Sequence, residues 1–69
     1  MDMNNDKKQA RRFLEKNKFK YSKLTIFNDD YKKTDLRKEI VKALKVVGLH
    51  KDTPIDLWTT KIREVENVN

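Results

Sequence analysis

Several residue types that often define a small domain are scarce in this chain of 69 residues. It has no cysteine, one glycine, one proline and one histidine. Without cysteine no disulfide can form, and the thiolate ligands of structural zinc sites are missing too. A single glycine also excludes the glycine-rich loops that hold phosphates in nucleotide-binding proteins. Stability must therefore come from apolar packing within the chain or from a partner subunit.

The chain also lacks a long apolar run. No segment approaches the roughly 18 apolar residues of a membrane span, and residues 1–6 lack the apolar region of a signal peptide. We therefore expect a cytoplasmic protein that does not associate with membranes. The composition is 41% charged and 36% hydrophobic, near the border with disorder, but the apolar residues are strongly patterned. This patterning predicts one folded domain over residues 1–69, with frayed ends at 1–5 and 66–69.

Three amphipathic segments predict a small all-α domain, with helices over residues 6–17, 34–47 and 54–65. The second helix has the clearest ends, because Thr34 is a good N-cap and Gly48 suits the left-handed position after the last turn. For the third helix, Thr53 is the expected cap and Pro54 the expected first helical residue. Trp58 lies in phase with the apolar stripe of that helix, which predicts that its ring anchors the core.

Residues 18–27 read KFKYSKLTIF and have a different pattern. Aromatic and β-branched residues alternate with lysine, which favours a strand, although the alternation loses phase at residues 22–23. No other segment alternates well enough to pair with such a strand. We therefore predict an irregular or short β segment near residues 19–27, which either pairs across a homodimer or forms an irregular helical turn. Its aromatic residues are expected to cover the core. Residues 28–30, Asn-Asp-Asp, then predict a turn.

The positive charge is concentrated in the N-terminal part of the chain. The net charge is +6, and residues 1–27 alone hold eight basic and three acidic side chains. In helix one, basic residues face away from the apolar arc of Ala10, Phe13 and Leu14. A like-charge i,i+4 pair such as Lys8–Arg12 costs about 0.2–0.5 kcal/mol in an isolated helix, so stability alone does not explain this face. Such asymmetry indicates a polyanionic or acidic partner.

The candidate nucleic-acid contacts are the cations of helix one, those of the segment after it, and a lysine row on helix two. Phosphate binding needs such cations, and the aromatic residues interleaved at 18–21 could add stacking on single strands. A solvated helix face with core aromatics is the simpler alternative. The residues are Lys7, Lys8, Arg11, Arg12, Lys16, Lys18, Lys20, Lys23, Lys38, Lys42 and Lys45.

Catalytic or metal chemistry finds little support in the sequence. His50 is the only histidine, and a lone loop histidine lacks the partners that catalysis or metal binding requires. Asp29 and Asp30 offer too few oxygen ligands for calcium and are typical of a turn. We therefore expect neither enzymatic activity nor a cofactor. A helix-turn-helix is also disfavoured, because the connection over residues 48–53 is too long for that motif.

We therefore predict a small DNA-binding accessory or regulatory protein, with DNA more strongly expected than RNA. Its size, charge and lack of catalytic motifs resemble those of small regulators of phages and mobile elements, a likeness that assigns no residue roles. The alternative is a modulator, an inhibitor or adaptor, that docks on an acidic patch of a host enzyme. Its candidate interface residues are Tyr21, Leu57 and Trp58.

Overall fold

The structure, a computed structural model, describes the backbone of residues 3–66 and the side chains of residues 5–66. The described residues form three α-helices: α1 (Met3–Phe27), α2 (Asp35–Val47) and α3 (Trp58–Glu66). Two short 3-10 turns, Tyr31–Lys33 and Ile55–Leu57, precede α2 and α3. The all-helical prediction with three helices is thus confirmed for this part of the chain. Of the ends predicted to fray, residues 3–5 and 66 are helical in α1 and α3, and residues 1–2 and 67–69 lie outside the described residues.

Helix α1 is much longer than predicted. The expected helix over residues 6–17 and the irregular or β segment near residues 19–27 are one continuous helix of 25 residues. The strand prediction is therefore wrong. Buried Tyr21 and half-buried Leu24 face the core, whereas Phe19 and Ile26 are exposed. Two apolar helical stripes on different sides thus overlap in sequence and imitate the period of two that a strand would have.

Asparagine and threonine within α1 do not interrupt it. The Asn17 side chain donates from Nδ2 to the Phe13 carbonyl at 2.9 Å, and the Thr25 hydroxyl donates to the Ser22 carbonyl at 2.8 Å. Both bonds run backward within the helix and leave its path intact. The helix ends at the predicted turn, where the Asn28 side chain accepts the Asp30 amide at 2.9 Å. This Asx turn explains the residue types at 28–30.

Helix α2 has the predicted ends. The Thr34 hydroxyl accepts the Arg37 amide at 3.2 Å and so caps the first turn. Gly48 lies at φ +90°, its amide donates to the Lys45 carbonyl, and the amide that follows donates to the Leu44 carbonyl. This pair of bonds is a Schellman motif, which requires a left-handed residue at Gly48.

Helix α3 begins later than predicted. Residues 55–57 form a 3-10 turn, and the α-helix starts only at Trp58. The prediction that Thr53 caps this helix is wrong, because its hydroxyl instead donates to the His50 carbonyl at 2.7 Å. Pro54 likewise precedes the 3-10 turn and is not the first residue of the α-helix. Across this 3-10 turn the Trp58 indole donates to the Thr53 carbonyl at 3.0 Å.

All three helices contribute to one small core. Helices α1 and α2 form an antiparallel hairpin, since Ala10 lies beside Ala43 and Tyr21 contacts Arg37. Helix α3 returns along α1, with Trp58 packed on Tyr21. The predicted anchor role of Trp58 is confirmed, because the side chain is only 2% exposed. The buried residues are Ala10, Leu14, Tyr21, Ile40, Ala43, Leu44, Val47, Trp58 and Ile62.

Candidate nucleic-acid interface

An uninterrupted row of cations follows the exposed side of α1. Lys8, Arg12, Lys16 and Lys20 are four residues apart and all exposed. Successive members of this outer row are separated by about 6 Å along the helix axis, and the row winds slowly around α1. None of the four forms an ion pair with another described residue. The outer row therefore presents like charges at regular intervals to solvent.

Arg11 belongs to the predicted set but is engaged within the fold. Its guanidinium lies 3.3 Å from Glu15 and 3.0 Å from Glu66 at the end of α3. The side-chain hydrogen bond to Glu15 and the charge of Glu66 raise the pKa of Arg11 above its ordinary value. Arg11 thus joins α1 to α3, and its charge is balanced locally by two carboxylates.

The remaining predicted cations of α1 lie in different surroundings. Lys18 is half-buried at the edge of the core face. Lys23 continues the outer side of the helix, and its ammonium lies 4.8 Å from the centre of the Phe19 ring. Lys7 instead lines a groove between α1 and α2. The predicted cluster is therefore divided over several faces.

The groove between α1 and α2 has a volume of about 700 Å³. Its apolar floor is made by Ala10, Phe13, Ala43 and Val46. Its rim carries two cations and two anions, Lys7, Lys42, Asp6 and Glu39. Because the signs balance, the groove has no net attraction for phosphate.

The lysine row of α2 is exposed, as its spacing predicts. Lys38, Lys42 and Lys45 are all solvent-exposed and alternate with the buried residues of the same helix. Only Lys42 lines the groove together with a cation of α1, Lys7. Lys7 and Lys42, one from each helix, thus face the same groove.

The three residues predicted for a protein interface lie in unlike places. Tyr21 and Trp58 are buried, and their rings stack with centroids 5.8 Å apart. Leu57 is 41% exposed at the start of α3. Only Leu57 therefore offers its side chain to a partner without a rearrangement of the core.

Arg37 has a structural role that the sequence did not reveal. Its guanidinium donates to the Tyr21 hydroxyl at 2.6 Å and to the Lys51 carbonyl at 3.3 Å, and it lies 3.6 Å from the Asp52 carboxylate. The side chain is only 12% exposed. Arg37 therefore ties α1, α2 and the following loop together. Its position in the first turn of a helix carries no signal for such long-range partners.

Exposed apolar side chains on the outer side of α1 were also missed. Phe19, Ile26 and Phe27 are 72%, 68% and 83% exposed. Their spacing of i, i+7 and i+8 marks one helical face. Reading α1 as continuous through residue 27 would have found this face, because the core positions 10, 14, 17, 21 and 24 keep a helical period throughout.

His50 has a structural role in the loop after α2. The His50 Nδ1 atom accepts the Asp52 amide at 3.1 Å, which shapes the loop after α2. The same Nδ1 atom lies 3.8 Å from the Asp52 carboxylate. The loop therefore uses His50 as a local hydrogen-bond acceptor.

Comparison with protein-family models, curated proteins and solved structures found no match to this chain. None of the described helices, including the long α1, combines the length and the apolar content of a membrane span.

Proposed function

We propose that this chain binds nucleic acid, DNA in particular, as an accessory or regulatory protein that holds phosphates with the outer row of α1. The observation that carries the proposal is the absence of any described acidic partner for Lys8, Arg12, Lys16 and Lys20. The row extends over about 18 Å of the helix axis. It offers flexible cations at a spacing that can follow a phosphate backbone.

Two sides of α1 differ in how their charges are balanced. Three like-charge i,i+4 pairs in the outer row each cost about 0.2–0.5 kcal/mol, with nothing in the described fold to offset them. Arg11, one residue away from the row, meets Glu15 and Glu66. Arg11, which joins α1 to α3, thus has acidic partners, whereas the outer row has none among the described residues. A polyanionic partner would supply the missing counter-charge.

The lysines of α2 would add a second set of contacts. Lys38, Lys42 and Lys45 are exposed, and Lys42 shares the groove with Lys7. The acidic groove residues Asp6 and Glu39 weaken the field there. We therefore assign the outer row of α1 the larger share of binding and the α2 row a supporting one.

The test measures binding of fluorescently labelled DNA and RNA to the protein. Fluorescence anisotropy gives the affinity over a range of salt concentrations. For duplex DNA, four or five phosphate contacts predict a log–log salt slope of about −4, at about −0.9 per phosphate. The double variant Arg12→Glu/Lys16→Glu should lose most of the binding and make the slope shallower by about 2. Arg11 is left unchanged, because its reversal would place three carboxylates together and disturb the fold.

The matched control is Lys51→Glu/Arg63→Glu, which changes the net charge equally but acts in the C-terminal third of the chain. Both residues are exposed, so the control should fold normally and keep most of its affinity. Equal losses in the two double variants would mean that net charge alone governs binding. That result, or no binding of any nucleic acid at physiological salt, would overturn the proposal.

A second candidate function is a protein modulator that docks on an acidic surface of a host enzyme. The observation in its favour is Leu57, an apolar side chain that remains 41% exposed beside the buried Trp58. For such a complex, salt should slow association more than it weakens the final complex. Leu57→Ala would then abolish binding to the host enzyme, whereas it should leave nucleic-acid binding unchanged.

A further inference from the structure

The C-terminal part of α1 carries an apolar stripe on the side away from the core. Phe19, Ile26 and Phe27 are each at least two-thirds exposed, and Lys23 lies between them at i+4 from Phe19. We call these four residues the outer stripe. Their spacing of i, i+4, i+7 and i+8 is the one that helices use to pack against another surface.

Fold stability does not account for the outer stripe. The chain has three phenylalanines; Phe13 packs against the core, whereas Phe19 and Phe27 lie outside it. The core meanwhile uses small residues such as Ala10 and Ala43. Two large rings thus remain in water although a chain this short has little apolar surface to spare. Exposed apolar clusters of this kind mark a binding surface.

The charges around the outer stripe select among possible occupants. Lys16 precedes it and Lys20 follows Phe19, both on the exposed side of α1, and Lys23 lies within the stripe with its ammonium over the Phe19 ring. A second copy of the chain would bring these lysines against its own and so is disfavoured. The matching partner carries negative charge together with flat apolar surfaces.

We propose that the outer stripe binds single-stranded nucleic acid, with bases stacked on Phe19 and Phe27 and phosphates held by Lys16, Lys20 and Lys23. This inference rests on the proposed function and specifies its ligand. Single strands offer base faces for stacking on aromatic side chains, whereas a duplex keeps its bases stacked on one another. The two rings are about 12 Å apart along the helix axis. They would therefore take two bases that are not adjacent in the strand.

The test compares a labelled oligothymidylate with a duplex of equal length, in the parent chain and in leucine variants. Phe19→Leu and Phe27→Leu keep an apolar side chain but remove the ring. Because stacking contributes about 1–3 kcal/mol per base, each should weaken single-strand binding by about 5- to 150-fold. Ile26→Ala is the matched control in the same stripe, since isoleucine cannot stack, and it should change the affinity by less than about threefold.

The outcomes separate this inference from the function on which it rests. Tighter binding of the single strand than of the duplex, lost in both leucine variants, supports the inference. Duplex binding at least as tight as single-strand binding, unaffected by the leucine variants, overturns it while the nucleic-acid function stands. If no nucleic acid binds, both fail. A parallel assay with phosphatidylserine-containing vesicles detects the main rival: vesicle binding without nucleic-acid binding would assign the outer stripe to an anionic lipid surface.

Discussion

Replacement of Trp58 by alanine is the most demanding test of the core. The indole is 2% exposed and stacks on Tyr21 with the ring planes 14° apart. Its Nε1 atom also donates to the Thr53 carbonyl at 3.0 Å. The ring thus packs the start of α3 onto α1 and holds the loop before α3 in place.

The expected loss is a large part of the free energy of unfolding of this domain. A buried aromatic residue replaced by alanine costs about 3–5 kcal/mol. A chain of this length has a free energy of unfolding of about 3–10 kcal/mol, at the usual 0.05–0.15 kcal/mol per residue. For a domain of this size, each kcal/mol shifts the melting temperature by about 4–8 °C. We therefore expect Trp58→Ala to lower the melting temperature by at least about 12 °C, or to unfold the chain.

Far-UV circular dichroism measures this effect, because the variant has no tryptophan fluorescence to follow. The control is Leu57→Ala, one residue earlier and 41% exposed, which should cost less than about 1 kcal/mol. Trp58→Phe keeps an aromatic ring but loses the bond to Thr53, so its loss should fall between the two. If Trp58→Ala melts within a few degrees of the parent chain, the ring does not anchor the core and the packing described above is wrong.

Five further substitutions test the ends of α2, the loop before α3 and the contact between Arg37 and Tyr21. Gly48→Ala should cost about 1 kcal/mol in urea unfolding, because its φ of +90° strains any residue with a Cβ atom; an unchanged midpoint would contradict the left-handed end of α2. Thr34→Ala should cost about 1 kcal/mol through the lost cap. Thr53→Ala should cost clearly less, because the Thr53 hydroxyl caps no helix. A larger loss at Thr53 than at Thr34 would mean that Thr53 caps helix three after all. Arg37→Leu should cost about 2 kcal/mol through its lost hydrogen bonds, and a Tyr21→Phe substitution should then add little further loss in a double-mutant cycle. Full additivity in that cycle would mean that the Arg37–Tyr21 bond contributes nothing.

Local signals predicted α2 almost to the residue. A threonine before the first turn and a glycine after the last one act on the backbone within four residues, so their effect hardly depends on the rest of the fold. The start of α3 shows the limit of such signals. Thr53 and Pro54 fit a helix N-terminus as well as the residues at the start of α2 do. However, the Trp58 indole donates to the Thr53 carbonyl, and a 3-10 turn precedes the helix.

Part of the candidate interface was predicted from local spacing, and part of it depends on the tertiary structure. The spacing of Lys8, Arg12 and Lys16 predicts a cationic helix face from sequence alone, and the structure extends this face to Lys20, with all four residues exposed. The pairing of Arg11 with Glu66, 55 residues away, required the return of α3 along α1. The exposed stripe after residue 18 was hidden because the end of helix one was predicted too early.

By itself, the sequence determined the helical class, the cationic side of α1 and both ends of α2, since each depends on residues within one or two helical turns. Only the tertiary structure decided which apolar residues enter the core and which charges are balanced. Residues 18–27 contain two apolar stripes, and either could have been buried. The packing of Trp58 on Tyr21 draws one stripe inward and leaves Phe19, Ile26 and Phe27 in solvent. Such choices depend on contacts between residues far apart in the chain, which periodicity does not encode.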